Sequence, residues 1–89
     1  MRIEKKIQKW SFDKVLSGDK TFELRLADWE CNPGDVLVLR EIDDERNYTG
    51  RVLEKEVSYV LKTKDPYFFS KEEIEKHGFQ IISLKRVEK

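Results

Sequence analysis

The chain has 89 residues and a mass of 10.7 kDa, a size that accommodates one hydrophobic core, so residues 1–89 read as a single domain. Its 18 Lys and Arg balance 18 Asp and Glu for a formal net charge of zero, which excludes a protein that coats nucleic acid or anionic membrane through bulk positive charge. Charged residues make up 40% and hydrophobic residues 38%, enough apolar material to exclude a disordered chain.

Compartment is read from what the sequence lacks. The longest aliphatic run is Val36-Leu37-Val38-Leu39, far short of the roughly 20 residues of a membrane span. Met1 leads straight into Arg2, Glu4, Lys5 and Lys6, so no leader peptide is expected. A single cysteine, Cys31, allows no internal disulfide and fits a reducing cytoplasm. Asn and Gln are scarce beside abundant Lys and Glu, the surface style of thermophile proteins.

Taken in chain order, residues 2–9 alternate and predict a first strand. Ser11 is placed to cap a short helix over 12–17, with Phe12, Val15 and Leu16 on one side and Gly18 as its stop. Residues 20–26 alternate again: Phe22, Leu24 and Leu26 point one way, Thr21, Glu23 and Arg25 the other. Asn32-Pro33-Gly34-Asp35 is a turn by composition. Residues 36–41 are apolar on both faces, as in a strand covered on both sides. Residues 42–50 read as an acidic hairpin loop and 51–61 as the returning strand. Pro66, Tyr67, Phe68 and Phe69 lead into a second helix, with Ser70 and Glu73 as a capping box and Gly78 as its end. Residues 79–87 form the last strand. The order β-α-β-β-β-α-β predicts an α+β, mainly β fold: a small β-barrel of about five strands with two short helices. A ferredoxin-like sandwich competes, but needs longer helices to cover its sheet.

The neutral total conceals a pattern. Residues 1–20 carry six Lys/Arg against three Asp/Glu, residues 28–56 four against nine, and residues 57–89 seven against five. The acidic excess centres on Glu41, Asp43, Asp44 and Glu45 between Arg40 and Arg46. It reads as a solvated hairpin tip, or as a protein-docking surface. If the two chain ends meet, they form one basic face that a polyanion approaches.

Most enzyme chemistries find no footing. Cys31 and His77 stand alone, without metal-ligand spacing, so no metal and no cofactor are expected. His77 suits the last turn of a helix, where it meets the negative end of the dipole, and Cys31 has no adjacent base to activate it. No phosphate-binding glycine loop or nucleophile elbow occurs.

One segment stands apart: Gly18-Asp19-Lys20-Thr21-Phe22-Glu23-Leu24-Arg25. On a strand, side chains two apart share a face about 6.5 Å from each other. Glu23 therefore reaches Arg25, leaving guanidinium donors for a phosphate or a base edge, with Lys20 as a second cation. An ordinary exposed ion pair is the alternative. Trp10 and Trp29 flank this segment, and an exposed indole beside cations stacks bases. Plugging the ends of the fold is the other use of such aromatics.

The octad Gly18-x-Lys20-x-x-Glu23-x-Arg25, preceded by Phe12-Asp13-Lys14-Val15-Leu16-Ser17, resembles the signature of ASCH domains, a branch of the PUA-like β-barrels. Pro33-Gly34-Asp35-Val36-Leu37, Tyr48-Thr49-Gly50-Arg51 and the strand from Phe79 to Leu84 resemble further parts of that family, so the similarity runs over residues 3–87. It implies a PUA-like barrel with a cleft that engages RNA or a modified nucleoside. Some relatives are nucleases or amidohydrolases acting on acylated cytidine, the latter with a threonine nucleophile two residues before the motif arginine. Here Glu23 stands at that position and Thr21 lies two residues earlier, a departure that argues against the amidohydrolase. A carboxylate salt-linked to arginine is also a poor proton acceptor.

The expectation is an RNA- or nucleoside-binding module in which Lys20 and Arg25 contact phosphate or base, Glu23 orients Arg25, and Trp29 stacks. Lys14, with Lys5, Lys6 and Lys9, forms the outer approach. The alternatives are a hydrolase using Lys20, Glu23 and Thr21 in the same cleft, and a protein-interaction domain using the acidic hairpin. A monomer that meets no membrane is assumed.

Overall fold

A computed structural model describes residues 1–63, 69–84 and 87. The alternating N-terminal stretch forms strand β1 (Arg2–Gln8), and the chain turns directly into helix α1 (Lys9–Ser17). The helix starts at Lys9, earlier than Ser11 would set it; Gln8 is its N-cap and makes no side-chain cap bond. Ser11 is instead buried in the first turn, at 5% exposure. Gly18 ends the helix as expected, with φ of 85° and its N–H on the Val15 carbonyl. Only glycine takes that left-handed conformation without strain.

The turn at Asn32 closes with Asp35 N–H on the Asn32 carbonyl (3.0 Å), and Gly34 supplies the positive φ of 96°. It feeds strand β2 (Val36–Ile42), which pairs in parallel with β1 and antiparallel with β3 (Tyr48–Glu56). The hairpin loop is shorter than the composition suggested, because Tyr48, Thr49 and Gly50 already belong to β3. That strand also stops at Glu56, short of the expected 61. A last short helix, α2 (Lys71–His77), carries the complete Ser70–Glu73 capping box and ends at Gly78.

The three strands form one mixed sheet in the order β1-β2-β3, giving a small α+β fold. Among the described residues this sheet is open. Residues 20–26 and 79–84, both expected as strands, join no ladder. Their alternation fails for a packing reason: Leu24 and Leu26 are 68% and 81% exposed, so no second layer covers that face. Pro66, Tyr67 and Phe68, and the end of the expected last strand at 85–86, lie outside the described residues.

The core lies between α1 and one face of the sheet. Ile7, Phe12, Val15, Leu37 and Leu39 are buried together, with Ile3, Trp29, Cys31, Leu53 and Val57 packed around them. Each fully buried side chain of this kind contributes roughly 1.5–3 kcal/mol. The expectation that β2 is covered on both faces holds: Val38 and Ile42, on its second face, are also buried. Charged side chains flank them there, through the Glu4–Arg40 (3.0 Å) and Arg2–Glu54 ion pairs.

Candidate functional site

The αL turn at Gly18 hands the chain to Lys20, whose N–H returns to the Lys14 carbonyl (2.9 Å). Residues 20–26 then continue outside any helix or strand ladder. Two further tethers fix this strip: Thr21 N–H on Ser83 Oγ (2.6 Å) and Arg25 Nη2 on the Lys6 carbonyl (2.7 Å).

The motif side chains converge as their spacing predicts. Glu23 Oε1 accepts from Lys20 Nζ (3.1 Å) and Glu23 Oε2 from Arg25 Nε (2.9 Å), so one carboxylate bridges two cations. All three are sheltered, with Lys20 and Glu23 near 15% side-chain exposure and Arg25 at 30%. Lys20 Nζ also donates to Ser11 Oγ and lies 5.3 Å from the Phe22 ring centre and 5.8 Å from that of Trp10. The site carries one net positive charge on a prearranged set of donors and acceptors.

This strip is the wall between two cavities. On one side lies a space of about 650 Å³ bordered by Trp10, Ser11 and Lys14 of α1, with Lys6 and Arg46. On the other lies one of about 420 Å³ bordered by Trp29, Cys31, Leu37 and Tyr59. Lys20, Phe22, Glu23 and Arg25 line both. Both volumes fall in the range of sites for small organic ligands.

The remaining site candidates are distributed unevenly. Lys14 is exposed at the larger cavity. Trp29 is half-buried against the core with Lys5 Nζ 3.9 Å from its ring centre, at the smaller cavity. The Thr21 hydroxyl pairs with Ser83 Oγ (2.6 Å). Lys9 of the outer approach is tied to Asp13 (2.7 Å). Burial and the nearby Asp35 push the Cys31 thiol up, which fits an inert role. His77 lies in the last turn of α2, as expected.

A second charge cluster went unread in the sequence. Glu41, 4% exposed, accepts from Arg51 Nε (3.0 Å), Arg51 Nη2 (2.5 Å) and Thr49 Oγ1 (2.6 Å). Arg51 Nη2 also reaches Asp13 of α1 (2.7 Å), and its guanidinium lies 4.4 Å from the Phe12 ring centre. The Arg51 guanidinium and the Thr49 hydroxyl hold the Glu41 carboxyl below the usual carboxylate range. Lys9 and Arg51 do the same for Asp13. Glu41 is thus the buried member of an interstrand lock and not part of a solvated tip; Arg51 and Asp13 each keep 42% of their side chains exposed. The signal was present: a carboxylate on the same face of a strand as Leu37 and Leu39 needs a buried partner. Asp43, by contrast, shapes the hairpin loop, its Oδ1 accepting from the N–H groups of Glu45 and Asn47 (both 2.9 Å).

Among the described residues no group of His, Cys, Asp and Glu is arranged to hold a metal, and no helix is long and apolar enough to cross a membrane. No curated protein and no solved structure matches the chain. A family described as a domain of unknown function, DUF3850, matches residues 4–74, from β1 into α2, and the chain belongs to that family.

Proposed function

We propose that the chain is an RNA- or nucleoside-binding module of ASCH, PUA-like type. The observation that carries this reading is the Lys20–Glu23–Arg25 bridge, presented at the wall of two cavities. A carboxylate between two cations offers acceptors and donors within one small area, the pattern that the polar edge of a nucleobase complements. The cations and indole beside it suit single-stranded or unstacked nucleic acid. The same reading completes the fold as a five-stranded barrel. The strip at 20–26 is tethered to β1 through Arg25 and to the 79–84 segment through Thr21 and Ser83, the arrangement two additional strands would need.

A hydrolase in this cleft, using Lys20, Glu23 and Thr21, has less support, because the Thr21 hydroxyl is engaged by Ser83. Docking of a protein through the acidic hairpin has less again, since Glu41 is buried and Asp43 bonds its own loop.

The test is titration of labelled single-stranded and hairpin RNA at low and moderate salt. Saturable binding that weakens with salt and is lost in Arg25→Ala is expected. Absence of RNA and nucleoside binding even at low salt would overturn the reading, and product formation over hours without added metal would replace it with the hydrolase.

A further inference from the structure

The larger cavity separates its charges into two kinds. Lys20 and Arg25 are neutralised in part by Glu23, whereas Lys6, Lys14 and Arg46 on the same cavity are in no ion pair among the described residues; Asp19 lines it as well. Trp10 lines the same cavity, 68% exposed, with its Nε1 donating to Gln8 Oε1 (2.6 Å). That bond fixes the indole in position, so it offers a flat apolar surface that needs little further ordering on contact. Trp29 lacks this exposure: it packs on the core and lies under Lys5.

Resting on the function proposed above, the geometry points to a single unpaired nucleobase as the occupant of this cavity, stacked on Trp10, with its polar edge at Glu23 and Arg25 and its flanking phosphates on Lys14 and Arg46. The assignment follows from charge. A phosphate gains most from cations that no carboxylate already satisfies; of these Lys6 lies over the Tyr48 ring (5.7 Å), which leaves Lys14 and Arg46 for the phosphates. A base edge needs an acceptor beside donors, which the Glu23 bridge supplies: its carboxylate for an exocyclic amino group, Arg25 and Lys20 for a ring nitrogen or carbonyl. A cavity of about 650 Å³ holds one nucleoside and no duplex. Gln8 is a positioning residue, acting through the indole that it orients.

The test uses the full chain, a short single-stranded oligoadenylate, the same strand annealed to its complement, and free adenosine. Binding is followed by anisotropy of labelled RNA and by tryptophan emission. The single strand is expected to bind and quench, and the duplex to do neither comparably. Trp10→Ala weakens binding roughly five- to hundredfold, as loss of one stacked base does. Trp10→Phe keeps most of the affinity but loses the quenching. Lys14→Gln and Arg46→Gln each lower the slope of log K against log salt by about 0.7, a change a merely structural residue would not produce. Quenching by adenosine equal to that by the oligonucleotide identifies a free nucleoside as the source of the base. RNA binding with Trp10→Ala unimpaired, or with quenching intact in Trp10→Phe, overturns this inference while leaving the proposed function standing. If neither RNA nor adenosine binds the wild-type chain, that function falls, and this inference with it.

Discussion

Glu41 and Glu23 are both carboxylates held by cations, but they sit in opposite settings. Glu41 is on the central strand at 4% exposure, and Arg51 and Thr49 reach it from the neighbouring strand. The contact lies where the β2–β3 register shifts, between the Arg40–Val52 and Ile42–Tyr48 pairs. Glu23 is on a strip that joins no ladder, and Lys20 and Arg25 reach it from the same strip. One cluster ties α1, β2 and β3 together through Asp13, Arg51 and Glu41; the other borders two cavities. The difference lies in what each carboxylate joins: Glu41 links strands and helix of the core, whereas Glu23 links residues of one strip at the wall of two cavities, which suits the recognition role proposed for it.

The sharpest way to break the comparison is to truncate one cation in each cluster. Arg51→Ala leaves Glu41 buried without its partner, and urea melts are expected to show a much larger loss of stability than Arg25→Ala. Arg25→Ala should instead abolish RNA binding with little change in the midpoint. Equal losses of stability in the two variants would erase the distinction.

Acid provides the second test. Glu41 and Asp13 are held below their unfolded values by hydrogen bonds from Arg51, Thr49 and Lys9. Their contribution is therefore complete above the ordinary carboxylate range and is lost as pH falls through the lowered folded values. Glu41→Gln should flatten stability between neutral and acid pH relative to wild type, as read from chemical melts across that range. An unchanged pH slope in the variant would count against the lock.

A smaller effect is expected at Gly18, which holds φ of 85° with open space around its Cα. Gly18→Ala should destabilise by about 1 kcal/mol through strain alone and, on the proposed function, weaken RNA binding more than that loss explains, because the turn it disturbs sets Lys20 two residues on. Smallest is Ser70→Ala, which removes the cap of α2 at about 1 kcal/mol of local helix stability. No α2 residue is fully buried, so the global melt should barely move while amide exchange in α2 accelerates.

How much of this was legible depended on the range of the interaction. The Gly18 stop, the Asn32–Asp35 turn, the Ser70 box and the Glu23–Arg25 pair are set by residues within a few positions of each other. Local geometry decided them, and the sequence showed them. The start of α1 was misplaced because Ser11 looked like a cap, while its hydroxyl takes the Lys20 ammonium nine residues on. The alternation at 20–26 predicted a strand, yet period two says nothing about whether a neighbouring strand is present to pair with it. The Arg51–Glu41–Asp13 lock was missed because its members come from three elements. Trp29 was the indole expected to stack, from its polar loop neighbours; it is half-buried against the core, whereas Trp10 is 68% exposed.

The order β1-β2-β3 leaves β1 and β3 as the two margins of the described sheet. Strand margins invite another copy of the same chain to align alongside and extend the sheet. Here β1 carries Arg2, Glu4, Lys5 and Lys6 and β3 carries Arg51, Glu54, Lys55 and Glu56. A copy laid antiparallel against β1 near register would bring Lys5 and Lys6 opposite one another's counterparts, where like charges repel. The β1 margin already receives Arg25 at the Lys6 carbonyl, and the neighbouring lysines add a like-charge cost to any copy that would align there in its place.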